Sequence, residues 1–283
     1  MTSSPHELRA PYTIKLTGQP VSLADIPPRQ DGGFTKKTAK PRLKELNERL
    51  HTLQEALYAA NRRSVLILLQ GTDTAGKGGT IEHVMGGVDP AGCHVIGFKR
   101  PTELDLAHDF LWRVHPHAPA QGMISIFDRS HYEDVLIVRV HDLVPPGVWQ
   151  ARYEHINAFE KLLADSGTII LKFFLHISME EQAERLKARE EEEDKRWKLN
   201  PGDYEERKRW DDYEQAYEAM LTRCATEYAP WYVVPADRKW FRNLAVAETI
   251  VDVLGRHETE WCDALLERGR KNYEALKKEL RGS

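Results

Sequence analysis

Apolar positions along this chain follow two different rhythms. Leu43, Leu46, Leu50, Leu53 and Leu57 recur at steps of three and four, which lays one apolar stripe along a helix of about 20 residues. Such a stripe either packs on the main domain, the usual fate of an amphipathic helix, or forms a seam for self-association. Beyond it, short unbroken apolar runs alternate with helical segments. Val65–Gln70, His94–Phe98, Met123–Asp128, Thr168–Ile177 and Trp231–Pro235 read as strands. The unbroken runs among them suit strands covered on both faces. Gly79–Gly87, Asp105–His115, Val148–Asp165 and Trp240–Gly255 read as helices between and after them. Glu180–Tyr228 has helical composition broken at Asn200-Pro201-Gly202, and Trp261–Leu280 reads as a charged terminal helix. The N-terminal stretch, up to roughly residue 40, is turn-rich and reads as an extended arm.

The β-α-β-α order predicts an α/β fold with a parallel sheet of about five strands between two helical layers. Three parts are expected: an arm and amphipathic helix over 1–60, a core over 61–257 that includes a lid at 180–228, and a terminal helix over 258–283. Composition adds little. The chain has 283 residues, 41% apolar and 30% charged, with net charge −4. A polyanion must therefore be met by a local cluster of cations, not by a global field. No basic groove with interleaved aromatics points to nucleic acid. Cys93, Cys224 and Cys262 show no paired spacing, so free thiols are expected. Met1–Leu16 has no apolar core of a signal peptide. The longest apolar runs are too short for a bilayer, and Thr168–Ile177 carries Lys172. A cytoplasmic protein without membrane or nucleic-acid partners is expected.

The chemistry concentrates in Gly71-Thr72-Asp73-Thr74-Ala75-Gly76-Lys77-Gly78-Gly79-Thr80. A phosphate-binding P-loop reads G-x-x-x-x-G-K followed by Ser or Thr, whose hydroxyl holds Mg²⁺. Here Gly78 stands at the hydroxyl position and Asp73 sits inside the loop. The loop follows a buried strand and opens a helix, so its N–H groups and the helix N-terminus converge on phosphate. Lys77 adds a positive charge. Gly78 and Gly79 let the backbone come close to the phosphates, and Thr80 offers a hydroxyl displaced by two residues. The strand Met123–Asp128 ends in a carboxylate where ligands of parallel sheets bind. Asp128 is thus placed to hold Mg²⁺, and Arg129 beside it to take phosphate oxygens bidentately. Two carboxylates, Asp73 and Asp128, would hold one or two metal ions. The run Arg189–Lys198 is either a solvated charged helix or a lid whose Arg189, Lys195 and Lys198 close over phosphate, with Trp197 packing within it. His115-Pro116-His117 lacks a third metal ligand. Pro235-Ala236-Asp237 ends the last strand, where related folds contact a base or hold the P-loop.

Together these stretches resemble the type-2 polyphosphate kinase family. The resemblance is carried by Gly71–Thr80, Phe127–Asp134, Arg189 with Lys195, Trp197 and Lys198, and Trp231–Asp237, and also by Lys99–Glu103 and His108–Arg113. It covers roughly Leu16 to Leu254. It implies a P-loop kinase-like fold and transfer between inorganic polyphosphate and a nucleotide with Mg²⁺, or Mn²⁺ in its place. Ser130-His131-Tyr132-Glu133-Asp134 looks most like the single-domain subclass that phosphorylates both AMP and ADP, the latter to ATP. Others in the family have Trp-Tyr-Asn at residues 131–133. By analogy Asp73, Lys77, Asp128 and Arg129 form the catalytic core. Gly71, Thr74, Ala75, Gly76, Gly78, Gly79, Thr80, Arg113 and Glu133 would bind phosphate or nucleotide, and Arg189, Lys195, Trp197 and Lys198 would belong to the lid. The chain departs from the family at Glu193-Asp194, where Asp-Pro is common. A homo-oligomer, dimer or tetramer, is also implied.

Two rival readings remain at this point. One is an ATP-dependent nucleotide or nucleoside kinase of the same fold. The other is a nucleotide-binding switch without phosphotransfer, which gives no reason for two carboxylates beside bound phosphate.

Overall fold

The computed structural model describes residues 12–14 and 19–282, and only the backbone of 12–14, 281 and 282. Most of Met1–Leu16 lies outside the described residues. The sheet contains β1 (Tyr12–Ile14), β2 (Ser64–Gln70), β3 (Cys93–Gly97), β4 (Ile124–Asp128), β5 (Thr168–His176) and β6 (Trp231–Pro235), in the order β1-β6-β5-β2-β4-β3. The last five are mutually parallel, as the sequence predicts, and β1 adds an antiparallel edge on β6.

Strand β2 shows why the sheet is sandwiched. Successive side chains of a strand point to opposite faces. Val65, Ile67 and Leu69 enter one core, with α1 (Lys36–Ala60), α2 (Lys77–Met85) and α9 (Lys239–Gly255), while Leu66 and Leu68 enter the other, with α5 (Pro146–Asp165) and α8 (Trp210–Arg223). Both sets are buried, so the strand reads as a continuous apolar run. Thr35 starts α1 by accepting from the Thr38 N–H at 3.2 Å, while Thr38 Oγ1 accepts from the Thr35 N–H at 3.0 Å. Leu46, Leu50, Leu53 and Leu57 are buried in the core that α1 shares with α9. The leucine stripe is therefore internal to the chain and is not a seam. The terminal helix α10 (Glu258–Gly282) packs on α1 through Trp261, with Arg63 paired to Glu260 at 2.9 Å. No described helix is long and apolar enough to cross a membrane.

The expected helix over Asp105–His115 is not continuous. It is a short α3 (Glu103–Leu106), turns, and a 3₁₀ turn at His115–His117. Thr102 and Asp105 close a capping box, Leu104 and Leu106 are exposed, and Asp109 caps a new turn through the Leu111 N–H at 3.0 Å. No apolar face spans enough turns to hold one helix together. A short α4 (Ile137–Val140) precedes α5. The charged region resolves into α6 (Met179–Glu191), a 3₁₀ segment at Glu193–Lys198, α7 (Pro201–Arg207) and α8. Asn200 caps α7 by accepting the Gly202 N–H at 3.1 Å, which explains the break at Asn200-Pro201-Gly202.

Strand order places the site. From β2 the chain moves to β3 and β4 on one side, then to β5 and β6 on the other. The crevice beyond the end of β2 is the topological switch point, where open α/β sheets bind ligands.

Candidate active site

The loop Gly71–Gly76 leaves β2 at this point and enters α2. Gly71 has φ +150°, and a Cβ there would meet the Leu175 carbonyl oxygen at 2.8 Å. Gly76 has φ +102°, and its Cβ would fall 1.7 Å from Arg242 Nη1. Both positions demand glycine for backbone angle and for space. Gly78 differs: a Cβ there would meet nothing within 4 Å. No protein packing requires glycine at that position, which leaves the loop open above it.

Lys77 is buried, and its Nζ donates to the carbonyls of Gly71 at 2.7 Å and Thr72 at 3.3 Å. Burial lowers its pKa, as does the nearby Arg129; Asp73, Asp128 and Glu133 pull the other way. Lys77 is thus within electrostatic reach of the other three expected core residues. Arg129, with φ +62°, pairs with the Asp73 carboxylate. Burial disfavours its charge, but Asp73 and then Glu133 more than offset this and raise its pKa. Glu133 itself is pushed up by burial, against the pull of Arg129 and Lys77. Gln70, at the end of β2, ties this turn to the loop. In the orientation that satisfies its amide, its oxygen accepts from the Ser130 N–H at 3.1 Å and its nitrogen donates to Glu133 Oε1 at 3.1 Å.

Asp128 ends β4 opposite Leu69 of β2. It is half-buried, and among the described residues its carboxylate accepts no hydrogen bond and joins no ion pair. No three His, Cys, Asp or Glu side chains form a ready-made metal cage among the described residues. Mg²⁺ at phosphate substrates does not need one, because it takes one or two carboxylates, substrate oxygens and waters. An unengaged carboxylate beside a phosphate loop fits that ion.

Other expected residues lie elsewhere. The Thr80 hydroxyl donates to the Gly76 carbonyl at 3.1 Å, one turn back, so it is already committed within α2. Arg113 donates to the Lys99 carbonyl at 2.8 Å, lies 3.8 Å from Asp134, and sits over Phe98. In the segment expected to form a lid, Arg189 binds Asp203 at 2.8 Å and Lys195 pairs with Glu192. Trp197 is 78% exposed rather than packed, with Lys198 stacked on its ring. Asp203 is held above the usual carboxylate range by burial and then by Asp73, so α7 brings a further carboxylate within reach of the loop. Among the described residues, His115 and His117 join no metal-binding group.

Sequence reasoning missed the groups behind the site. Arg185 and Arg242 are buried and both donate to the Ala75 carbonyl. Behind the Asp128–Glu133 turn, Lys172 of β5 is fully buried and donates to Glu160 Oε2 at 2.6 Å, Tyr132 Oη at 2.9 Å and the Cys224 carbonyl at 2.6 Å. Lys172 was visible only as a charge in an apolar strand. The three cysteines are free, and burial pushes the Cys224 thiol up to about 12.

Comparison with known proteins agrees with this geometry. A family model described as Polyphosphate kinase 2 matches residues 33–261. The chain is 54% identical over 224 residues to an AMP/ADP-polyphosphate phosphotransferase of Meiothermus ruber, covering 79% of this chain and 83% of that one. It is 44% identical to an ADP-polyphosphate phosphotransferase of Rhodopseudomonas palustris, covering 84% and 86%. Among solved structures, Polyphosphate Kinase 2 from Arthrobacter aurescens superposes with a TM-score of 0.81 at 45% identity, over 83% of this chain and 85% of that one. The loop, the strand-end carboxylate and these similarities lead to one conclusion: the chain belongs to the polyphosphate kinase 2 family.

Proposed function

We propose that this protein transfers phosphoryl groups between inorganic polyphosphate and AMP or ADP, forming ADP and ATP, with Mg²⁺ or Mn²⁺. The observation that carries the choice of substrates is the 54% identity to the Meiothermus ruber enzyme, which is named for both AMP and ADP. The loop geometry supports it. Donor and acceptor both end in phosphate, so charge must be met on both sides of the transferred group.

In the transfer, an oxygen of the nucleotide's terminal phosphate forms a bond to the terminal phosphorus of polyphosphate. The terminal P–O–P bond breaks, and the chain leaves one unit shorter with the electron pair on its end oxygen. The attacking oxygen is already ionised, so no strong general base is required, and catalysis reduces to positioning and charge neutralisation. Lys77 exchanges its two neutral carbonyl partners for an anionic phosphate oxygen, a stronger acceptor. Arg129 binds phosphate while Asp73 holds its orientation. Asp128, with Asp73, would hold the metal ion, which neutralises developing charge on the phosphate oxygens. Residues 180–228 act as the lid, with Arg189, Lys195 and Lys198 as its cations. Closure requires Arg189 to leave Asp203 and Lys195 to leave Glu192, and it excludes the water that would compete as acceptor. Arg113 serves the nucleotide side. The assembly is a dimer or tetramer, formed by a surface other than the leucine stripe.

The test is ATP formation from AMP and from ADP with polyphosphate and Mg²⁺, without added ATP, and its loss on chelation. Consumption of ATP with polyphosphate left intact would instead establish the ATP-dependent kinase.

A further inference from the structure

Arg185 is placed unlike a lid arginine. A guanidinium has five N–H donors in a rigid plane. Here Nε donates to Glu181 Oε1 at 2.8 Å, Nη1 to the carbonyls of Thr74 at 2.9 Å and Ala75 at 3.0 Å, and Nη2 to those of Ala236 at 2.6 Å and Asp237 at 3.0 Å. Every donor is used, the side chain is buried, and four of the acceptors are backbone. Two of them belong to the phosphate loop and two to the turn that follows β6.

The same face of α6 continues this contact. Gln182, three residues earlier, donates to the Asp73 carbonyl at 3.4 Å. Ser178, the cap of α6, donates through its N–H to Asp237 Oδ1 at 2.8 Å and through its hydroxyl to Asp237 Oδ2 at 3.0 Å. Positions 178, 182 and 185 share one helical face. The carbonyls of Asp73, Thr74 and Ala75 are therefore all drawn toward α6. In a trans peptide the C=O of one residue and the N–H of the next point in opposite directions. Holding the carbonyls of Asp73 and Ala75 turns the N–H groups of Thr74 and Gly76 to the other side, into the loop. The Ala75 N–H is used internally, on the Thr72 carbonyl at 3.1 Å. Arg242 reinforces the arrangement from a second direction, donating to the Ala75 carbonyl at 3.1 Å.

We propose that Arg185 is a positioning residue for phosphoryl transfer: its saturated guanidinium orients the loop peptides so that their N–H groups face the bound phosphate, and it makes the first two turns of α6 the fixed root of the 180–228 lid, whose moving part begins one turn later at Arg189. The inference rests on the phosphotransfer reading for its kinetic consequence, but not for the backbone geometry. Lysine cannot replace this group, because three protons on one atom cannot span two carbonyl pairs.

The test uses Arg185→Lys and Arg185→Ala in the full chain. In Arg185→Lys, kcat falls by about 10²-fold, the scale of a 1 Å misplacement near the reacting atoms, while the nucleotide KM changes little. Added guanidinium ion restores turnover in Arg185→Ala, and equal ionic strength from NaCl does not. Without substrate, amide hydrogen exchange at residues 72–77 rises in both variants while β2 and β5 stay protected. Wild-type kcat in Arg185→Lys would overturn the proposal. So would exchange that rises equally across the sheet, which marks plain destabilisation. Should Arg185→Ala not fold, Arg185→Lys carries the test alone. Local loop exchange together with a wild type that ignores polyphosphate would reject the substrate assignment and keep Arg185 in this role.

Discussion

Replacing Lys172 by Met should be among the most damaging single changes in this chain that touch no substrate. Both Lys172 and Glu160 are fully buried, and their charged ends lie 2.6 Å apart. Without the ammonium, Glu160 keeps only the Tyr132 hydroxyl at 2.8 Å and His131 Nε2 at 3.3 Å, and the Cys224 carbonyl loses its lysine donor. Breaking a buried pair from one side costs about 3–5 kcal/mol. That is a large share of a typical stability of roughly 5–15 kcal/mol. In Glu160→Gln/Lys172→Met no charge is stranded. The remaining loss is that of unsatisfied polar groups, about 1–3 kcal/mol. The double variant should therefore be more stable than the lysine variant alone.

The sign of the pH dependence gives an independent check. In the wild type, burial pushes the Glu160 carboxyl up, but Lys172 and then His131 pull it down further, so its folded pKa is depressed. Its contribution is present above the unfolded carboxyl pKa, near 4.3, and is lost as pH falls through the folded value. In Lys172→Met, burial acts without the lysine and the folded pKa rises above the unfolded one. The stability gap to wild type should then narrow as pH drops from 8 toward 5. Urea unfolding followed by tryptophan fluorescence at several pH values measures both effects. A loss below about 1 kcal/mol in the single variant, or a double variant as unstable as the single, would refute the reasoning.

Three further outcomes are expected. Asp73→Asn keeps a partner for Arg129 but removes the charge, and should lower kcat by about 10²-fold or more with little change in stability, because the pair is partly exposed; near wild-type turnover in a steady-state assay would contradict the metal role. Lys195→Ala with Lys198→Ala should weaken use of long polyphosphate more than use of nucleotide, as separate KM measurements would show; equal effects would argue against a lid that follows the donor chain. Gly76→Ala combines a left-handed backbone, costing about 1–2 kcal/mol, with a Cβ inside the Arg242 guanidinium, and should lower both thermal stability and turnover; Gly78→Ala, whose Cβ meets open space, should leave the melting temperature unchanged.

Local signals were legible in the sequence, and convergence was not. The leucine spacing gave α1, and the apolar run before Gly71 gave β2, because one face or both faces of a single element are buried. The loop and Asp128 could be placed together because parallel strands deliver their ends to one edge. Asp105–His115 misled because its apolar residues do not lie on one face that the protein covers. Gln182 and Arg185 sit among Glu180, Glu181 and Glu184 and look like any solvated helix. What they do depends on the backbone of the P-loop and of the turn that follows β6, some 110 and 50 residues away in sequence. Glu160 on α5 gives no sign that its partner is the lysine in β5. Such pairings leave no spacing rule, because tertiary packing alone sets them.

The charges around the loop suggest why a P-loop can lose its metal-binding hydroxyl. Some of them are already answered by an opposite charge within the chain: Arg129 by Asp73 and Arg185 by Glu181. Others are not. Lys77 has only two neutral carbonyls. Asp128 has no donor among the described residues. Arg242 has only an amide and a carbonyl, and its pKa is lowered to about 9 by burial and then by Arg185. An unmet anion thus lies at the end of β4, and cations with only neutral partners lie in the loop, at Lys77, and next to it, at Arg242. A metal-bound phosphate chain would supply the missing partners, the metal to Asp128 and the polyanion to Lys77 and Arg242. With a metal held at the strand-end carboxylate, residue 78 would need no hydroxyl. A glycine there leaves room above the loop for a second phosphate to approach the first, which a reaction between two phosphate chain ends requires.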